Sequence, residues 1–407
     1  MDVPFGVRMT GPLESFACGF AAELTRLGYT RLSAARQMRL AAHLSRWLDG
    51  QGMHAGALTE PMLREFSAAR RGGGYRTLLT PMALEPLLGY LRGLGVAPPL
   101  VMQPKAATAA ELLLERYRDY LLGERGLAKG TVDWCIQRVR GFVTAHAGSD
   151  DADDASLRGL TSADVAAFVL ETCRGLSPKS AQQTASAMRS LLRFLHYDGV
   201  LLVSLLDAVP KVANREPGLP RFVPPEQVQR LLASCDRDSV IGRRDLAMMM
   251  VMVRLGLRAG EVAGLALDDL DWRHGEITVR GKGPRTERLP LPVDVGQAIT
   301  QYLQHGRPAT ALDRCVFVRV KAPHRGLSGR GVGWAVGAAC RRAGLELMGS
   351  HRLRHTAATA MLHAGASLAE IGQVLRHRRT QTTAVYATVD TGRLRALARP
   401  WPVGGVS

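Results

Sequence analysis

With 407 residues, 46% of them hydrophobic and 22% charged, the chain is long enough for two or three separate cores and too apolar to remain disordered. The longest unbroken apolar run, LAMMMVMV at 246–253, falls far short of the ~20 residues that span a bilayer. The first 30 residues also lack a basic-then-apolar leader, so a soluble, cytoplasmic protein with no membrane partner is expected. Six scattered cysteines without a C-x-x-C pair argue against a disulfide framework or a zinc ribbon and read as reduced, mostly buried thiols.

The formal net charge is +17, and its placement matters more than its size. From residue 221 onward there are 28 Lys and Arg against 15 Asp and Glu, which leaves only +4 for the first 220 residues. A basic excess concentrated in the C-terminal half suits a polyanionic partner, nucleic acid above all. The bland alternative is a coding bias toward arginine, and the ratio of 47 Arg to 6 Lys fits part of that.

In chain order, two proline-rich passages, GVAPPLVMQPKAAT at 95–108 and VPKVANREPGLPRFVPPEQ at 209–227, divide the sequence into three blocks: 1–95, 106–207 and 220–400. The first two look like copies of one another. LTEPMLREF at 58–66 matches LTSADVAAF at 160–168, the segment 26–48 parallels 125–146, and YLRGLGV at 90–96 parallels FLHYDGV at 194–200. Both read as small helical bundles, with Leu112, Leu113, Tyr117, Tyr120 and Leu121 at helical spacing and Thr161 placed to cap a helix. Trp134 and the other scattered aromatics read as core.

The third block opens with PPEQVQRLLASC, two prolines before an amphipathic helix. A methionine-rich buried helix follows and ends at Gly256. GEITVRGKGPRTERLPL at 275–291 predicts two strands joined by a turn, and CVFVRV at 315–320 a further short strand. The fold class is thus mainly α with a small antiparallel β-sheet.

The segment SHRLRHTAATAMLHAG, 350–365, sets histidines and arginines among core-type residues. As a helix it places Leu353, Ala357, Ala360, Met361 and Ala364 on a core stripe and His351, Arg354 and His355 opposite. His351 and His355 have the i, i+4 spacing of a zinc pair, but Arg352 stands where H-E-x-x-H has its glutamate, so no metal and no cofactor are expected.

This segment, together with LRHRRTQTTAVYATV at 375–389, LGLRAGEVAGL at 255–265 and GKGPRTERLPL at 281–291, resembles the motif boxes of the tyrosine recombinases, the phage-integrase and Xer-like family. The resemblance covers the last ~180 residues in order, and the block at 108–205 is similar to the helical core-binding domain that precedes the catalytic domain in that family. It implies helical N-terminal DNA-binding bundles followed by a tyrosine-recombinase catalytic domain. Duplex DNA carrying specific recombination sites is the implied partner, bound by a homo-tetramer, with accessory DNA-bending or sister recombinase proteins as further partners. It also implies a nucleoid-associated location and a catalytic set of Arg258, Lys282, His351, Arg354, His377 and Tyr386.

The chemistry of phosphodiester exchange suits these residue types. In-line attack builds charge on the non-bridging oxygens, which planar guanidinium forks meet with paired hydrogen bonds. The resemblance makes Arg258 and Arg354 those forks and Tyr386 the nucleophile joined to the 3′ phosphate. It gives His351 base-like and phosphate-binding work, His377 a phosphate hydrogen bond, and Lys282 protonation of the 5′ leaving oxygen. Lys282 is one of only two lysines after residue 220, and a titratable ammonium is what arginine cannot supply. Glu261 reads as a group that orients Arg258 or caps the next helix, and His355 as a support residue.

One departure stands out: Leu375-Arg376-His377 replaces the family's frequent Leu-Gly-His, which puts the local turn in question and offers Arg376, Arg378 and Arg379 as extra phosphate contacts. After Tyr386, the segment 391–402 reads as a short helix, like tails that dock on a neighbouring subunit in the family. Integration or excision of a mobile element is the leading reading. Xer-type resolution of chromosome or plasmid dimers, a topoisomerase-like enzyme and a non-catalytic architectural DNA binder are the alternatives.

Overall fold

The computed structural model describes residues 4–99, 108–147, 155–213, 222–281, 286–376 and 383. The chain forms two compact units, one of Val101–Pro217 and one that combines Met1–Leu100 with Gly218–Ser407.

Val101–Pro217 is a helical bundle. To number helices in chain order, the N-terminal block comes first: it holds α1 (Ala17–Arg26), α2 (Arg31–Gly50), α3 (Glu60–Gly72) and α4 (Glu85–Gly93), and the bundle holds α5 (Ala109–Gly123), α6 (Lys129–His146), α7 (Ala155–Arg158), α8 (Ser162–Cys173) and α9 (Pro178–Tyr197). Thr161 caps α8 in a reciprocal box with Asp164, as the sequence predicts. On α5 Leu113, Tyr117 and Leu121 are buried as the spacing suggests, with Leu114 beside them and Tyr120 packed at the edge of the core, whereas Leu112 is exposed. Trp134 is half-buried rather than core. It lines an open groove of about 610 Å³ between the N-terminal halves of α6 and α9, with Lys179, Gln182 and Gln183. The Arg138 guanidinium lies 5.4 Å from its ring centre and donates to Thr184 Oγ1 at 2.8 Å.

In the N-terminal block, α1 to α4 close over Phe20, Leu24, Met38, Leu44, Leu48 and Leu63. The turn before α2 fits against the C-terminal block, since Gly28 has φ +81 and a Cβ there would come within 2.4 Å of Thr310 Oγ1 and 2.6 Å of the His324 ring. The outer face of α2 carries Arg36, Arg39 and Arg46, all exposed, with His43 between them. Among the described residues none of these arginines pairs with a carboxylate, whereas Arg26, Arg64 and Arg92 pair with Glu23, Glu60 and Glu85. The end of α3 is tied to the same face: Arg70 Nη1 and the Tyr75 hydroxyl meet the two ring nitrogens of His43 at 3.1 and 3.2 Å.

The C-terminal block contains α10 (Pro225–Ala233), α11 (Val240–Leu255), α12 (Ala259–Ala263), a three-stranded antiparallel sheet, α13 (Val293–His305), α14 (Gly329–Arg342), α15 (Ser350–His363) and α16 (Leu368–Val374). The sheet runs β1 (Leu270–Asp271), β2 (Glu276–Arg280), β3 (Thr286–Pro290), with Ile277 opposite Leu289 and Arg280 opposite Thr286. The predicted hairpin is therefore present, and its connecting residues 282–285 lie outside the described set.

Two expectations fail here. Cys315–Val320 is not a strand, because its backbone bonds go to different loops in turn: Val316 N–H donates to the Leu265 carbonyl, while the Phe317 carbonyl accepts from Leu327. No ladder grows past single bridges. The aromatics are also not uniformly core, since Trp272, Trp334, Tyr75 and Tyr197 are exposed. Of the six cysteines, all free, only Cys135, Cys235 and Cys340 are buried. Among the described residues, no helix is long and apolar enough to cross a membrane.

Candidate active site

The site grows out of how α11 ends. Gly256 closes that helix in the left-handed conformation, φ +63, the ending the sequence predicts. The reversal leaves the Gly256 carbonyl to a partner outside the helix and sets Arg258 at the N-cap of α12. Three residues later Glu261 folds back, its Oε2 accepting the Arg258 backbone N–H at 2.8 Å and its Oε1 the Arg258 Nη1 at 2.6 Å. Glu261 thus both caps the helix and orients the arginine.

Helix α15 approaches from the other side. The expected single core stripe is wrong, because the helix packs into two cores at once. Leu353 joins the main core, and Ala358 and Leu362 join a smaller one with Ile371 and Leu375 of the α16 region. Ala360 and Ala364, assigned to the stripe, are exposed. Arg354, assigned to the open face, is 2% exposed and among the largest fully buried side chains.

Its guanidinium is held by carbonyls, Nη1 donating to Gly256 O at 2.6 Å and Nη2 to Leu375 O, and it lies 4.0 Å from Glu261 Oε2. Arg258 and Arg354, 96 residues apart in sequence, therefore meet around one carboxylate.

His351 is exposed on the first turn of α15, and its ring lies 5.4 Å from that of half-buried His355. Burial, then the charges of His351 and Arg354, push the His355 imidazole below its ordinary value. Among the described residues no group of three or more His, Cys, Asp or Glu side chains gathers as a metal site would require.

Arg376 is the feature that sequence reasoning misplaced. It does take the left-handed conformation of the glycine it replaces, φ +55. Its side chain, though, turns inward at 4% exposure rather than outward to phosphate, and Nη2 donates to Glu261 Oε2 at 2.7 Å. The only signal in the sequence was an arginine at a glycine position. Burial alone would raise the Glu261 carboxyl, but the Arg258 backbone N–H, the Arg376 charge and the Arg258 guanidinium outweigh it and hold the group below the usual carboxylate range. Lys282, His377 and Tyr386, with Arg378, Arg379 and the segment 391–402, lie outside the described residues.

The sequence model of the phage integrase family matches residues 221–393, and that of the phage integrase N-terminal SAM-like domain matches 114–199. A candidate integrase/recombinase of Sinorhizobium fredii, y4rA, is 40% identical over 404 residues, covering 96% of this chain and 95% of its own. The tyrosine recombinase XerD of Listeria monocytogenes is 29% identical over 289 residues, 70% of this chain and 96% of its own. The structure of the Tn1549 transposon integrase in complex with circular intermediate DNA superposes with a TM-score of 0.52 at 18% identity, over 72% of this chain and 100% of that one.

The chain belongs to the phage integrase family, the tyrosine recombinases. By class it is a site-specific recombinase, an enzyme of DNA recombination.

Proposed function

We propose that the protein cuts and rejoins duplex DNA at specific sites through a 3′-phosphotyrosyl intermediate on Tyr386, and that it serves the integration or excision of a mobile element. The observation that carries the chemistry is the convergence of Arg258 and Arg354 on Glu261. Arg258, 40% exposed, receives the scissile phosphate, and its planar fork matches the non-bridging oxygens where charge develops. Arg354, beneath the Leu375–Arg376 turn, adds its positive charge beside the same carboxylate. His351 contributes base-like and phosphate contacts from the same helix, with His377 as a further phosphate donor.

Tyr386 attacks in line, its hydroxyl proton passing to a base, and the phosphate passes from the 5′ oxygen of the next nucleotide to the phenol oxygen. Lys282, between β2 and β3, returns a proton to that leaving oxygen. The bond is conserved in the ester, so religation needs neither ATP nor a metal. Thr383, three residues before Tyr386, is buried and lies against Gly372 of α16, which supports assigning the tyrosine segment to this block.

The domain reading that fits is a core-binding bundle over 106–207, a catalytic domain over 220–400, and an N-terminal module over 1–95 that duplicates the bundle. The repeated segments fall on matching helices, α2 with α6, α3 with α8, and α4 with α9. The α6–α9 groove and the exposed arginines on the outer face of α2 are the DNA faces of the two bundles. A tetramer on DNA and action at the nucleoid follow from that reading. Mobile-element work is favoured over Xer-type resolution because the full-length match is to an integrase/recombinase whose length includes the extra module, whereas the XerD match stops at 70% of the chain.

The test is a nicked suicide DNA substrate built from the sequence flanking the gene. Wild type is expected to form a covalent adduct, and Tyr386→Phe to form none while still binding DNA. An adduct that persists in the variant would refute the assignment.

A further inference from the structure

We infer that Arg376 is a positioning residue that acts through Glu261: by occupying Oε2 it keeps the carboxylate from closing on the Arg258 fork, leaving part of that guanidinium for a DNA phosphate. This rests on the reading of Arg258 as the phosphate ligand. A carboxylate beside an arginine ordinarily settles into two parallel N–H to oxygen bonds. Here Arg258 has one such side-chain bond, Nη1 to Oε1 at 2.6 Å. The other oxygen is already taken by the Arg258 backbone N–H at 2.8 Å and by Arg376 Nη2 at 2.7 Å. With Arg354 at 4.0 Å, three guanidinium groups surround a single carboxylate, so the cluster keeps a positive surplus where a phosphate would arrive.

The placement of Arg376 argues against mere packing. An arginine at φ +55 holds a backbone conformation that glycine takes with less strain. Its side chain is buried with Nε lacking a partner among the described residues, a second cost. What the side chain obtains in return is the Val374 carbonyl at 2.9 Å and Glu261. The residue is also the immediate neighbour of His377, so the contact with Glu261 ties the Arg258 helix to the strand of sequence that carries the remaining site residues.

The experiment compares single-turnover cleavage of the suicide substrate by wild type, Arg376→Gly, Glu261→Gln and the double variant, with DNA affinity and thermal unfolding measured alongside. Arg376→Gly relieves the backbone and should fold; its cleavage rate is expected to fall about tenfold, with affinity changed much less, as Glu261 closes on Arg258. Glutamine cannot form the charge-assisted pair, so the double variant is expected to cleave faster than Arg376→Gly alone, back to the level of Glu261→Gln. A merely structural arginine gives no such rescue. Unchanged cleavage by Arg376→Gly, or a double variant as slow as or slower than it, would overturn the proposal while leaving the nucleophile assignment standing. No adduct even with wild type would instead remove the reading of Arg258, and Arg376 with it.

Discussion

Arg354 Nη1 donates to the carbonyl oxygen of Gly256 at 2.6 Å, so a buried guanidinium on α15 is fastened to the residue that ends α11, two positions before Arg258. The placement of both arginines therefore depends on one left-handed turn. A methyl group at Gly256 would meet Leu375 Cδ2 at 2.4 Å and force φ +63 on a residue that resists it. Gly256→Ala is expected to cost about 2 kcal/mol or more, read by chemical denaturation, and to lower adduct yield. Gly333→Ala, inside α14 with open space around it, is the contrast and should stabilise by about 0.5–1 kcal/mol. Equal behaviour of the two would show that the turn is unimportant.

Arg354→Lys keeps the charge but cannot reproduce the two-armed grip on the carbonyls of Gly256 and Leu375. Leaving one carbonyl unpaired should cost about 1–3 kcal/mol in unfolding free energy and reduce cleavage as well. A lysine variant as stable as wild type would mean that the carbonyl bonds contribute nothing.

Glu261 gives a pH signature. Its folded value is depressed below the unfolded one of about 4.3, so the ionised group stabilises fully above that value and loses its contribution as pH falls through the folded value. Wild type and Glu261→Gln should differ most in denaturation near neutral pH and converge on acidification below about pH 4. A gap that stays constant to pH 3 would contradict the ion-pair account.

The outer face of α2 is tested by salt. Replacing Arg36, Arg39 and Arg46 with Gln should reduce the slope of log affinity against log salt by about 2.7 for a long duplex of arbitrary sequence. Replacing Arg26, Arg64 and Arg92, each already paired with a glutamate, removes the same charge and should leave the slope nearly unchanged. Identical slopes for the two triple variants would assign α2 no DNA contact.

Local signals were readable wherever a short stretch of chain settles its own conformation. The Thr161 cap, the Gly256 stop, the hairpin over 275–291 and the helical bundles all follow from neighbours within a few residues. The role of Glu261 as cap and orienter was also visible, because both partners lie within three residues. Cys315–Val320 misled for the opposite reason: an apolar run says that it is buried, not which backbone it pairs with.

The sequence by itself determined the family: which guanidinium, imidazole, ammonium and phenol groups exist and in what order. Only the tertiary structure decided that α15 lies between two cores, that Arg354 is sealed beneath carbonyls, and that Arg376 turns inward to share Glu261 with Arg258. The physical reason is range. Caps and turns depend on bonds within a few residues, whereas the partner of a buried charge is set by which distant surfaces close around it, and periodicity along one helix carries no record of that.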